Sequence, residues 1–142
     1  PYKGGAPLLN DVLGGQIPVS ISVLGEVMPY IRSGRLRGLA VSSPVRSRFL
    51  PEIPTFVEQG HDDIAVEEWL GWFVPAKTPA DTVTRLNERV GQRLQDPQLI
   101  DALAASGLQP LHQTPAEFAQ RVRTDFDRWG PIVKASGFTA ED

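Results

Sequence analysis

Cysteine is absent from this 142-residue chain. Thiol nucleophiles, zinc–thiolate sites and disulfide staples go with it. A thiol-free sequence is compatible with an oxidising compartment without requiring one. Histidine is scarce. His61 and His112 lie far apart in loop-like sequence, neither with a second histidine or a carboxylate at metal-ligand spacing, so both read as surface residues and no metal or cofactor is expected. Long apolar runs are missing as well, and no stretch approaches the roughly 20 residues of a membrane-spanning helix. The net charge of −3 supplies no basic surface, so nucleic acid is not an expected partner. There is also no Gly-x-Ser-x-Gly elbow, no Walker loop and no dinucleotide fingerprint. No residue is assigned a catalytic role, and the expectation is a binding protein.

What is present describes a core-forming globular chain of single-domain length, 41% hydrophobic and 22% charged with three tryptophans. The first sixty residues alternate short helix and strand signals. Ala6 to Leu13 places Leu8, Leu9, Val12 and Leu13 on one helical face and stops at Gly14-Gly15. Ile17, Val19 and Ile21 alternate with Pro18 and Ser20, the period of a strand. Gly25 to Ser33 reads as a second helix ending at Gly34, and Leu36 to Ser42 as a buried strand. Two such steps with short links imply a mostly parallel sheet with helices on its faces. Pro44, Pro51 and Pro54 then punctuate a loop, followed by one helical turn at Thr55 to Gln59. Ile64 to Val74, with Trp69, Trp72 and Phe73, reads as one long strand.

The remainder is helical. Thr78-Pro79-Ala80-Asp81 and Thr114-Pro115-Ala116-Glu117 present the same start signal twice: threonine as N-cap, proline at the first helical position, an acid at the third. Val83, Leu86, Val90 and Leu94 stripe the first of these helices. Phe118, Val122, Phe126, Trp129 and Val133 stripe the last, and Trp129 is expected as a core anchor. Asp96-Pro97 starts a shorter helix closed by Gly107. The sequence therefore divides near residue 67, into an α/β part over 1–67 and a mainly helical part over 68–142. Neither holds a complete sheet. With Pro1 instead of Met at the start, the expectation is a portion of a longer protein.

Several polar features carry little by themselves. Glu67 and Glu68 are adjacent in strand context and point to opposite faces, so they form no acid–base pair. Arg35 and Arg37 share one strand face, usually a solvated edge. Gly4-Gly5 precedes a helix whose N-terminus could receive an anion, though a tight turn explains the glycines equally.

In series the motifs become specific. Pro1-Tyr2-Lys3-Gly4-Gly5-Ala6-Pro7 and Asn10-Asp11-Val12-Leu13-Gly14-Gly15-Gln16 resemble a PYKG loop, short helix and GGQ turn. The run Ser33 to Ser42 is similar to an "AGKLRALAVTS" strand. Arg46-Ser47, Leu50 to Thr55 and Gln59-Gly60 resemble an "RSP-LPDVPT-EAG" connection. Trp69 to Pro79 and the closing helix with Thr114 to Phe118 and Trp129 complete the pattern. The chain so resembles, over nearly its whole length, the tripartite tricarboxylate transporter substrate-binding proteins, also called Bug or TctC-like receptors.

That resemblance implies a periplasmic-binding-protein-like α/β fold of the two-lobed type II class, with only its C-terminal portion here. Residues 1–67 would be the remainder of the second α/β lobe, and residues 68–142 a crossing strand and helices completing the first. It implies a periplasmic receptor that closes on a small organic anion and docks on membrane transporter subunits. The cleft is expected between two strand ends, Pro1 to Gly4 and Ser22 to Leu24, which makes Tyr2, Lys3, Gly4, Ser22, Val23 and Leu24 the ligand-binding candidates. Two departures bear on the ligand: Pro18 replaces a common Asp, and Ile21-Ser22-Val23 stands where "FDN" is frequent. With neutral Ser22 in place of Asp, the expected ligand is a plain di- or tricarboxylate, not an amino acid. The competing reading is the effector-binding half of a LysR-like regulator, or a fragment without ligand function. Cut in mid-sheet, an isolated fragment is expected to self-associate.

Overall fold

A computed structural model of the chain describes residues 2–139, so Pro1 lies outside the described residues. Two compact units are present. One takes residues up to Trp72 together with Ile100–Gln109; the other takes Phe73–Leu99 together with residues from Pro110 onward.

In the first unit, α1 spans Gly5–Leu13. Gly4 precedes it at φ 102, a conformation in which an L side chain is strained. The helix ends as its glycine pair predicts: Gly14 and Gly15 donate to the carbonyls of Asn10 and Val12. Helix α2 spans Leu24–Arg32, with Glu26 in its first turn and Arg32 in its last, the arrangement the helix dipole favours. Its Met28 is the centre of a small core with Leu50 and Ile53, flanked by Leu24, Ile31, Val41 and Phe49. Close backbone approaches depend on missing side chains. A Cβ on Gly25 would collide with the carbonyl of Ser106, and one on Gly38 with the Ile53 side chain.

The connection from residue 43 to 60 is clasped by polar groups. Arg46 Nε donates to both carboxylate oxygens of Glu58 at 2.9 Å, and its Nη1 to the Pro51 carbonyl at 3.0 Å. The Thr55 amide donates to Glu58 Oε2 at 2.7 Å while the Glu58 amide donates to Thr55 Oγ1 at 3.0 Å. Thr55 is buried. These donors hold the Glu58 carboxyl below its ordinary range, the Arg46 guanidinium foremost.

The segments expected as strands differ from expectation. Residues 17–21, 36–42 and 65–74 are non-helical, while Ile64, expected to open the last strand, closes a 3-10 turn over Asp62–Ile64; among the described residues the only bridge is a parallel one between Val41 and Thr55. Val41 donates to Pro54 O, Phe56 to Val41 O, and Val66 to Ser42 O. Alternation marks a segment suited to a sheet, but a ladder also needs a neighbour in register, and here the neighbours supply single rungs. The side chains that would face such a neighbour are open: Ile21 is 90% exposed and Trp72 81%.

In the second unit, α3 spans Ala80–Arg93 and α5 Pro115–Ser136; α4, Pro97–Ala105, begins in the second unit and belongs to the first from Ile100 onward. Helix α5 packs on α3, and Phe73 meets Phe118 at a centroid distance of 5.3 Å. The two threonine–proline starts behave differently. Thr114 forms a complete capping box: its Oγ1 accepts from the Glu117 amide, and the Glu117 carboxylate accepts from the Thr114 amide at 2.7 Å. Thr78 makes no cap, and the first residue outside α3 is Pro79. Asp81 is one methylene shorter than Glu117, and the reciprocal bond back to the threonine amide needs the longer side chain. Trp129 also departs from expectation. It is 38% exposed, with the Arg128 guanidinium over its ring at 5.8 Å, and no described residue of α5 is buried. The stripe is apolar as predicted, but α3 covers only part of it. No helix among the described residues is long and apolar enough to cross a membrane.

Candidate functional site

The start of α1 and the residues leading into α2 meet in the first unit. Between them lies an open depression of about 580 Å³. Tyr2, Gly4, Ser22 and Val23, four of the six candidates, line it. Lys3 and Leu24 do not. Lys3 is exposed beside it, and Leu24 turns to the Met28 core. Gly5, Leu8 and Ile21 supply further wall, and Glu26, Ser42 and Glu68 supply polar groups.

Each polar group is placed by its element. Tyr2 reaches along α1, and its hydroxyl donates to Asp11 Oδ2 at 2.8 Å. That hydrogen bond holds the phenol proton and pushes the Tyr2 pKa above its ordinary value of 10.0. Tyr2 therefore stays neutral, and the remaining capacity of its oxygen is as an acceptor. Glu26 lies in the first turn of α2, which aims its carboxylate at the first turn of α1. It rests on Gly5 so closely that a Cβ there would overlap it. The N-terminus of α1, considered from sequence as a seat for an outside anion, is thus faced by a carboxylate of the chain itself. Ser42 and Glu68 come from the two extended segments joined by the bond from the Val66 amide to the Ser42 carbonyl, 2.7 Å long.

Glu26, Ser42 and Glu68 were not among the ligand-binding candidates; Glu68 was weighed only with Glu67 as an acid–base pair and set aside. For Glu26 a signal existed: it is the acid in the first turn of the helix that follows Ser22 and Val23. Ser42 and Glu68 carried none, because only the pairing of distant segments brings them here. Among the described residues, no group of three or more His, Asp or Glu side chains could hold a metal ion.

Comparison with known proteins gives a consistent result. Residues 1–138 match the model of the family described as "Tripartite tricarboxylate transporter family receptor". The chain is 33% identical over 137 residues to Protein BugT of Bordetella pertussis, covering 96% of this chain and 42% of that protein. It is 31% identical to the UPF0065 protein in the clcB-clcD intergenic region of Pseudomonas knackmussii, covering 94% of this chain and 79% of that protein. Among solved structures, one described as a periplasmic transporter superimposes with a TM-score of 0.84 at 35% identity, and the periplasmic binding protein BugD with 0.76 at 29%. Each superposition covers 96% of this chain and 46% of the other. The chain thus spans less than half the length of most of these relatives, and its architecture is a helix-rich part of a two-lobed α/β periplasmic-binding-protein fold.

Proposed function

Since the chain belongs to the tripartite tricarboxylate transporter family of receptors, we propose that it forms the C-terminal part of a periplasmic solute-binding protein that captures a small organic carboxylate and delivers it to a membrane transporter. The family is one of substrate-binding receptors and not of enzymes. The observation that carries the reading is the family match over residues 1–138. Its location on the molecule is suggested by Tyr2, Gly4, Ser22 and Val23, which share one depression. The regulator alternative has no such support.

In this proposal residues 1–67 belong to the second lobe and residues 68–142 contribute to the first. The ligand lies against Tyr2, Gly4, Ser22 and Val23 on one side, with Lys3 and Leu24 flanking, and is completed by the part of the receptor outside this chain. Docking on transporter subunits is a property of the loaded, complete receptor. A thermal-shift screen of organic acids on the full-length receptor tests the function. A cognate acid at about 100 times its Kd raises stability by roughly 2.7 kcal/mol. A complete set of small mono-, di- and tricarboxylates that leaves the melting curve unmoved overturns it.

A further inference from the structure

Tyr2 walls the depression from the far side of a glycine joint. Gly4 stands between it and α1 at φ 102, with open space around it. A joint of that kind leaves the segment beyond it free to swivel. What ties Tyr2 down is its hydroxyl, which donates to Asp11 Oδ2, nine residues along the chain, at 2.8 Å. Asp11 is an unexpected residue for its place. It lies in the last turn of α1, where the helix dipole disfavours a carboxylate. The end of α1 is made by main chain alone. The Gln16 amide donates to the Asp11 carbonyl at 2.8 Å and the Gly15 amide to the Val12 carbonyl at 3.1 Å, with Gly15 at φ 72, the paired bonds of a Schellman ending. The Asp11 side chain takes no part in those bonds, and it is not among the residues lining the depression. Its carboxylate therefore opposes the helix dipole, caps neither end of the helix and holds Tyr2. A residue that breaks a local rule without stabilising its own element marks a functional constraint.

We infer that Asp11 is a positioning residue of the receptor, acting through the Tyr2 hydroxyl to hold the phenol against the wall of the depression before a ligand arrives. This rests on the reading of the depression as the ligand site. The Schellman bonds fix the Asp11 main chain, so the carboxylate is a firm anchor for a side chain beyond a glycine joint. A wall ordered in advance spares the ligand the entropy of ordering it at binding.

The test is a double-mutant cycle on the full-length receptor, with Asp11→Ala, Tyr2→Phe and the two together, and Asp11→Asn beside them. The probes are small mono-, di- and tricarboxylates, from acetate and propionate through succinate and malate to citrate. Each is titrated calorimetrically, and every acid that binds the parent is carried through the cycle. Asp11→Ala is expected to weaken binding about three- to tenfold, the scale of ordering one side chain. The melting point of the ligand-free variant stays within about 4 °C of the parent's. In the Tyr2→Phe background the same change has no further effect, because the hydroxyl it acts through is gone. Asp11→Asn keeps an acceptor oxygen at the same reach and recovers most of the affinity. Losses that multiply in the double variant overturn the inference. So does an Asp11→Ala receptor that binds like the parent, or an Asp11→Asn receptor that binds no better than Asp11→Ala. A collapsed melting point in Asp11→Ala assigns the carboxylate to folding and overturns it too. Each of these results leaves the carboxylate receptor standing. If no acid of the panel binds the parent, the receptor reading itself fails, and this inference with it.

Discussion

At the scale of single residues, the two threonine–proline motifs separate a cap that forms from one that does not. Thr114 and Glu117 exchange hydrogen bonds across the first turn of α5, while Thr78 makes no side-chain bond to α3. Thr114→Ala is therefore expected to cost about 1 kcal/mol and Thr78→Ala much less, both read from urea melts. Equal losses would show that Thr78 caps in solution. Two carboxyls also report on acid stability. Glu58 is lowered chiefly by Arg46, and Glu117 chiefly by the Thr114 amide. Both folded values lie below the ordinary 4.5, so between the two values it is the unfolded chain that binds the proton, and stability rises with pH there. The contribution is complete above that ordinary value and is lost as pH falls through the depressed folded values. Glu58→Gln and Glu117→Gln should each flatten the acid limb of a stability-versus-pH curve. A limb as steep as the parent's in both variants would mean that neither interaction persists in solution.

At the scale of elements, two glycines test how closely the first unit packs. A side chain on Gly25 meets the backbone carbonyl of Ser106, and one on Gly38 meets the end of the Ile53 side chain. A side-chain tip can rotate away, but a carbonyl moves only with its segment. Gly25→Ala lies inside α2 and gains helix propensity of up to about 1 kcal/mol, yet overpacking of about 1–3 kcal/mol outweighs it. Gly25→Ala should accordingly destabilise more than Gly38→Ala; the reverse order in melts would place residues 106–107 away from α2. All five helices were legible in the sequence, since caps, glycine stops and three-to-four spacing are local signals. The strands were legible only as extended segments, because alternation at Ile17, Val19 and Ile21 does not say what pairs with them. Part of the candidate site was reached by a different route: Tyr2, Gly4, Ser22 and Val23, which line one depression, came from two strand ends beside the cleft that the family resemblance implies. Glu26 and Glu68 required knowing that α2 returns onto the start of α1 and that residue 66 pairs with residue 42. Trp129 shows the opposite failure. Its spacing was right, and its burial depended on a neighbour that α3 only partly provides.

For the molecule as a whole, the exposed apolar positions are the informative ones. Ile21, Leu39, Leu70, Trp72 and Phe73 lie on extended segments and are each more than half exposed. Unpaired extended backbone with apolar side chains recruits other strands. Produced by itself, the 142-residue chain is expected to self-associate, with a two-fold pair the commonest closed form. Light scattering that finds a monomer with a cooperative melt would show that this stretch buries a sufficient core alone. The central claim is that the depression beside α1 receives the ligand of a carboxylate receptor. Its most direct test is a crystal structure of the full-length receptor with the acid that stabilises it most. The account predicts ligand density against Tyr2, Ser22 and Val23. A ligand bound elsewhere, with these side chains unchanged and out of reach, would contradict it.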